Sequence, residues 1–332
     1  MGDPHLKITK FDLAIRFLKE VEEVEKRENP DLTVFLGDLF DSHAVVRSEI
    51  MGEFRSYLLR HKRPRVYVLG NHDQFTPRDS KYHALQTFSN LYDGFHVVDK
   101  TQDLYGMTFV PYIHLFSEFP KETLPICIAH QTFIGADYGY TNADAGVDAE
   151  AVSADVIVGG HVHKRQSFGK VIYPGSAFAQ GINDIDQDKG LMMFDTDTYQ
   201  YRFIETSLPQ WYGMKLELGP DYGIEDFHND LFHYVSEGDN WVVDITGPRV
   251  EINAYLASKD FTWLKKDCKI NSNLRIRPIY TDTQHKQVKI RSVAPETIIT
   301  DYVEQVYGGV LDKSDVAAKA LELFKEVDKV KN

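Results

Sequence analysis

Four times between residues 31 and 164 a short apolar run ends on side chains suited to holding metal ions: "LTVFLGD", "RVYVLGNHD", "PICIAHQTF" and "DVIVGGHVHK". Runs this short read as buried strands that empty into polar loops. Ligands of open α/β sheets bind at that place, beyond the carboxyl ends of the strands. A fold that gathers those four ends brings every candidate residue into one site.

The rest of the chain fits around such a core. Residues 11–28 carry Leu13, Phe17, Leu18, Val21 and Val24 at helical spacing, and residues 45–62 read as a second helix. The second helix has a stripe of Ile50, Met51, Phe54, Tyr57 and Leu58, suited to core packing or to a dimer contact. From about 165 to 206 three short strands, "KVIYPGS", "KGLMMFDTD" and "QYRFIET", suggest a second sheet packed on the first. After Pro209 strands and helices alternate as in a small α/β domain. A polar stretch then leads to two helices expected over 296–307 and 315–330, with apolar faces that include Val303, Val306, Val316, Leu321, Phe324 and Val327. The domains expected are therefore 1–206, 207–282 and 283–332.

Composition excludes several classes. No run approaches the ~18 apolar residues of a membrane span, and no leader is expected ahead of the first motif. Cys127 and Cys268 stand far apart, which argues against a disulfide framework or a structural zinc site and makes a reducing cytoplasm the expected location. A net charge of −13 argues against a protein that coats nucleic acid, though bound cations would cancel acidic ligands locally. Basic residues gather at Arg60–Arg65, at Lys265, Lys266 and Lys269, and at Arg275, Arg277, Lys286, Lys289 and Arg291. Solvated faces explain these as readily as a nucleic-acid guide does.

Taken singly, each candidate has an ordinary explanation. Asp38 could be a turn aspartate and His72 a loop histidine. His130 could be a satisfied core histidine, and His161 with His163 a surface pair. Asp3 and His5 stand where a terminus usually frays. One shared metal site explains all of them together. Carboxylate, imidazole and amide oxygen without thiolate suit Mn²⁺, Fe²⁺ or Zn²⁺, and a shared carboxylate holds two ions ~3.5–4 Å apart.

The order D-x-H, G-D-x-x-D, G-N-H-D, H, G-H-x-H resembles the calcineurin-like metallophosphoesterase superfamily over residues 2–206. The fold this implies is a two-sheet α/β sandwich flanked by helices. The resemblance also implies one metal held by Asp3, His5, Asp38 and His163, and a second held by Asp38, Asn71, His130 and His161. His72 would protonate the leaving alkoxide, with Asp73 orienting it. "GDLFDSH" lacks the arginine that follows this motif in Ser/Thr protein phosphatases.

The stretch "VIYPGSAFAQGINDIDQDKGLMMFDTDT" resembles the SbcD-type DNA nucleases, among them phage recombination endonuclease subunits. That resemblance implies an Mn²⁺-dependent exo/endonuclease acting on DNA ends in recombination or repair. It further implies a small capping domain, a homodimer, and C-terminal helices that dock on a coiled-coil ABC-type ATPase. Family members carry a full strand before D-x-H, whereas only "MG" precedes Asp3 here, so a loosened first metal and a gap in the sheet are expected. Some relatives have histidine where this chain has Asp41, with His43 two residues on. A small-molecule phosphodiesterase and a weakly catalytic scaffold for an ATPase are the competing readings.

Overall fold

The computed structural model describes residues 1–42, 45–76, 79–234, 239–266 and 274–281, with Val316 and 318–320 of the tail. The chain divides into two compact units, Met1–Tyr280 and Thr281–Asn332. The helices expected over 296–307 and 315–330 fall in the second unit, where only Val316 and 318–320 are described, as helix. Lys286, Lys289, Arg291 and His43 lie outside the described residues.

In chain order the first unit runs α1 (Phe11–Glu28), β1 (Thr33–Phe35), α2 (Ser48–Arg60), β2 (Arg65–Val68), β3 (Gln74–Thr76) and β4 (Asp79–His83). It continues with β5 (Phe95–Val98), β6 (Gln102–Leu104), β7 (Met107–Val110), β8 (Ile126–His130) and β9 (Val156–Gly160). Then follow β10 (Gln166–Phe168), β11 (Val171–Tyr173), β12 (Leu191–Phe194) and β13 (Tyr201–Ile204). Within the same unit, the segment expected from sequence as a small domain comprises β14 (Trp211–Glu217), α3 (Ile224–Tyr234), β15 (Asn240–Gly247), α4 (Arg249–Leu256), α5 (Lys259–Lys266) and β16 (Leu274–Tyr280).

Two sheets face each other. One is parallel, in the order β1-β2-β5. The other has six strands in the order β10-β11-β9-β8-β7-β6, with parallel pairing from β11 through β7 and antiparallel edges. Side chains alternate as the pleat requires. Val66 and Val68 of β2 meet Ile126 and Ile128 of β8 between the sheets. Tyr67 turns out against Phe17, Phe35 and Phe54, where α1 and α2 cover the first sheet. The stripe of α2 is thus buried within this chain: Ile50, Phe54, Tyr57 and Leu58 all lie in that core.

The strands partition differently from the expectation that "KVIYPGS", "KGLMMFDTD" and "QYRFIET" form the second sheet, for the last two make only the β12–β13 hairpin. β1 and β2 belong to the first sheet and β8 and β9 to the second, and "KVIYPGS" joins the second as β11. Strands buried on both faces are apolar throughout, so the alternation that would reveal their sheet is erased. The four carboxyl ends therefore meet across the interlayer.

A cleft of about 800 Å³ opens between β1 and the β12–β13 hairpin, lined by Val21, Val34, Leu191, Met193 and Ile204 among others. Met1 stands at its end. The Met1 amine donates to Val34 O at 2.9 Å, and Met1 O accepts from Leu36 N at 2.8 Å. Gly2 bridges to Ser176 on the other side, and Leu6 pairs with Phe40. Despite the gap, residues 1–6 are tied down on both flanks, and Asp3 is 0% exposed.

The small domain has its own core of Phe227, Leu231, Val243, Ile245, Ile252 and Leu264 beneath the parallel sheet β14-β15-β16. The stretch "VEINAYLASKDFTWLKK", residues 250–266, has the pattern of one helix in sequence but forms two. The chain breaks at Ala257, and Ser258 Oγ accepts from Phe261 N to start α5. The domain is joined to the first through residues 179–186, where Asp186 N donates to Trp211 O at 2.8 Å and Gly213 N to Asp186 Oδ1 at 2.9 Å.

Candidate metal centre

Each strand end delivers its residues through a tight loop, and glycine makes the approach possible. A Cβ on Gly70 would strike Asp38, one on Gly160 would strike Leu36 O, and one on Gly37, at φ +107°, would strike His130. Asp3, His5, Asp38 and His161 all have φ between +42° and +86°. Non-glycine residues hold that conformation only where the surroundings over-determine it, which is typical of functional sites.

The seven candidate ligand residues come together around Asp38. Asp3, His5 and His163 form one group whose ligand atoms lie within 4.8 Å of one another. Asp38, His130 and His161 form another, and His5, Asp38 and His72 a third. Asp38 Oδ2 lies 3.7 Å from His5 Nε2 and 3.5 Å from His130 Nε2, so it stands between the two flanks. Asn71 Oδ1 completes the second flank, 2.8 Å from His161 Nδ1 and 3.1 Å from His130 Nε2.

The donor atoms fit cations. His130 Nδ1 lies 2.6 Å from Leu36 O, an N–H···O bond that leaves Nε2 free as a lone-pair donor toward Asp38. Such backbone bonding is how metal-binding histidines are held. On the other flank His5 Nε2 faces His163 Nε2 at 3.1 Å, and Asp3 Oδ2 is buried without a hydrogen-bond partner. Two imidazole nitrogens and an orphaned carboxylate oxygen converging in a buried space are explained by a cation between them.

The electrostatics agree. Burial raises the Asp3 carboxyl above the usual range, the nearby His130 and His163 only partly offsetting it. Burial also opposes ionisation of Asp38, but the His130 and His5 beside it outweigh that and hold it well below. Burial would lower His130, yet Asp38 and Asp3 push it up to about 9. Burial lowers His5 and His161 to about 3, keeping both imidazoles neutral and able to coordinate. The carboxylates thus draw positive charge to the centre, and a metal would displace the His130 proton.

His72 and Asp73 divide their tasks. The half-buried His72 ring sits 4.8 Å from that of His5, with Nδ1 3.3 Å from Asp41 O. Asp73 is buried and accepts from Gly70 N at 3.0 Å, Phe40 N at 3.2 Å and Tyr67 OH at 3.2 Å. Its carboxylate therefore binds the "GNHD" loop to the "GDLFD" loop. Asp41 accepts from Lys7 Nζ at 3.0 Å and lies 3.9 Å from His5 Nδ1.

Sequence reasoning did not single out Tyr112, whose ring lies 5.7 Å from that of His161, nor Gln180, which donates to Asp3 O and Pro4 O. Tyr112 belongs to no motif, and Gln180 lies within the stretch at 171–198 without any feature that marks it. The glycines that precede three of the four ligand runs were the signal available for the close approach.

Residues 1–165 match the calcineurin-like phosphoesterase family. The chain is also similar to two viral proteins. The protein named "Putative phosphoesterase 078R" of Invertebrate iridescent virus 3 is 26% identical over 229 residues, covering 63% of this chain and 66% of that protein. "Putative phosphoesterase 244L" of Invertebrate iridescent virus 6 is 23% identical over 210 residues, covering 58% of this chain and 73% of that protein. The chain thus spans just under two thirds of the first relative's length.

Proposed function

On the premise that residues 1–165 are a calcineurin-like phosphoesterase domain, we propose that this chain is a two-metal phosphodiesterase acting on DNA, the nuclease subunit of a nuclease–ATPase complex. The observation that carries the two-metal reading is the place of Asp38, within 3.5–3.7 Å of imidazoles on both flanks. Asp3, His5 and His163 would hold one ion with Asp38, and Asn71, His130 and His161 the other. Two divalent ions, Mn²⁺ in our reading, would supply Lewis acidity and a nucleophile at neutral pH.

The protein's own groups then have distinct work. Asp38 keeps the two flanks in register. His72, the half-buried imidazole of the set, stands where it can protonate a departing sugar oxygen, which is a poor leaving group without that proton. The proposal of DNA as substrate rests on the sequence resemblance and on a small α/β segment held against residues 179–186, whose Gln180 donates to Asp3 O. The ATPase partner rests on the apolar tail helices expected from sequence.

A second reading, a small-molecule phosphodiesterase, is favoured by the pairing of basic residues. Arg65 is fully buried against Glu25, Arg60 reaches Glu22 at 3.0 Å, and Arg277 forks onto Asp244. Those guanidinium groups are already engaged by carboxylates.

End-labelled linear duplex DNA incubated with Mn²⁺, Mg²⁺ or EDTA separates the readings. Mn²⁺-dependent cleavage by the wild type, lost in Asp38→Ala and reduced in His72→Ser, supports the nuclease. Intact DNA alongside hydrolysis of a simple phosphodiester moves the assignment to the small-molecule enzyme.

A further inference from the structure

We propose that Lys189 and Asp184 are positioning residues of the first ion site, a buried clamp that fixes the two chain segments carrying Asp3, His5 and His163. The inference rests on the metal-centre reading above, and the residues lie outside the 1–165 family match.

Lys189 is buried, its side chain 0% exposed. Its ammonium donates to His163 O at 2.7 Å, Asp184 Oδ1 at 2.9 Å and Gln187 Oε1 at 3.1 Å, which uses all three of its protons. Asp184 spends its other oxygen on the backbone, with Oδ2 accepting from Gln180 N at 2.7 Å and Gly181 N at 3.3 Å. Gln180 in turn donates through Nε2 to Asp3 O and Pro4 O, each at 3.2 Å. One continuous path therefore runs from the carbonyl of His163 through Lys189, Asp184 and Gln180 to the carbonyls between Asp3 and His5.

A lysine buried only for packing is a poor choice, because an apolar side chain of similar length avoids the desolvation of an ammonium. Here the charge has a use. Asp3 and His5 sit at φ +45° and +42°, and that backbone persists only under outside restraint. Gln180 holds the carbonyls of Asp3 and Pro4, and Lys189 holds the residue on the opposite side of the same ion position. The second flank has holds of its own, with His130 fixed by Leu36 O and Asn71 by the two imidazoles, and Asp3 Oδ1 reaches it through the N–H of His161 at 2.9 Å. Disturbing the clamp should weaken the first ion site far more than the second.

The test is Mn²⁺ titration of the full chain by calorimetry, with apo melting temperature measured in parallel. The wild type should bind two ions. Asp184→Asn and Lys189→Met should weaken one site by about 10- to 100-fold, the usual effect of losing a group that orients a ligand, and the other by much less. Lys189→Arg, which can donate to the same acceptors, should recover most of that loss. Gln180→Ala leaves the ion pair intact and should weaken the same site. Equal weakening of both sites, accompanied by a lower apo melting temperature, would make the clamp a fold support and overturn the proposal. Unchanged binding in all variants would overturn it as well. A wild type that takes up no ion removes the metal-centre reading itself, an outcome set by the wild-type arm alone.

Discussion

Asp38 Oδ1 accepts the backbone N–H of His72 at 2.8 Å, so the carboxylate shared by the two ligand groups also fixes the loop that presents the half-buried imidazole. His72→Asn and Asp38→Ala should therefore differ in kind. His72→Asn keeps both ions and loses about 10²- to 10⁴-fold in kcat, the range for removing a general acid. Asp38→Ala loses ion binding on both flanks. Phosphodiester hydrolysis at saturating Mn²⁺, with calorimetric ion counting, checks both. An Asp38→Ala protein that still binds two ions at wild-type affinity would contradict the central role of this residue.

Gly70 lies against the same carboxylate, and any Cβ there must push Asp38 away. Gly70→Ala is expected to lower Mn²⁺ affinity at least about 10-fold, as displaced ligand geometry does, while far-UV circular dichroism stays unchanged. Gly52, whose surroundings are open, serves as the control, and Gly52→Ala should leave ion binding as it is.

Arg65 forks onto Glu25 in the core, with Nε to Oε1 at 2.9 Å and Nη2 to Oε2 at 2.7 Å. Tyr57 OH and Thr33 Oγ1 also donate to Oε1. Removing one partner leaves a buried charge alone, so Arg65→Ala should destabilise the fold by about 3–5 kcal/mol in urea unfolding. Replacing Arg65 with Met and Glu25 with Leu together should recover much of that. Additive losses in the double variant would show that the two side chains are not coupled and that each acts through its other partners.

Cys127 is 0% exposed, and burial pushes its thiol up to about 12. In a Cys268→Ser protein it should resist an aromatic disulfide reagent at pH 8.5 and react fully in urea. The sign of the pH effect follows. The unfolded thiol ionises near 8.5, so between there and about 12 only the unfolded chain releases the proton, and this contribution to stability falls as pH rises. A Cys127→Ala control should show a shallower decline in urea midpoint from pH 8 to 10.

The sequence revealed the parts whose signal is local. Residues 11–28 carry the amphipathic period and form α1 with those bounds, and Phe17, Leu18, Val21 and Val24 face the core. The residues that gather around Asp38 were legible because all but Asp3 and His5 follow an apolar run. The partition of strands between sheets was hidden by side chains apolar on both faces, as in β2 and β8. Arg65 read as one of a basic surface cluster because its partner Glu25 lies 40 positions earlier. Lys189, in "DKG", looks like a turn residue. Only the chain path around residues 180–189 places it under His163. The inward turn of Asp73 likewise depends on Phe40 and Gly70, which its neighbours in sequence do not announce.

The left-handed backbone of Asp3, His5, Asp38 and His161 gathers four of the chain's positive-φ non-glycine residues at one centre, at a cost to stability. Each such residue carries on the order of 1–3 kcal/mol of conformational strain that glycine would relieve. Glycine there should yield a hardier protein without ions and an inactive one with them. The four side chains thus cost stability that a role in the centre would offset.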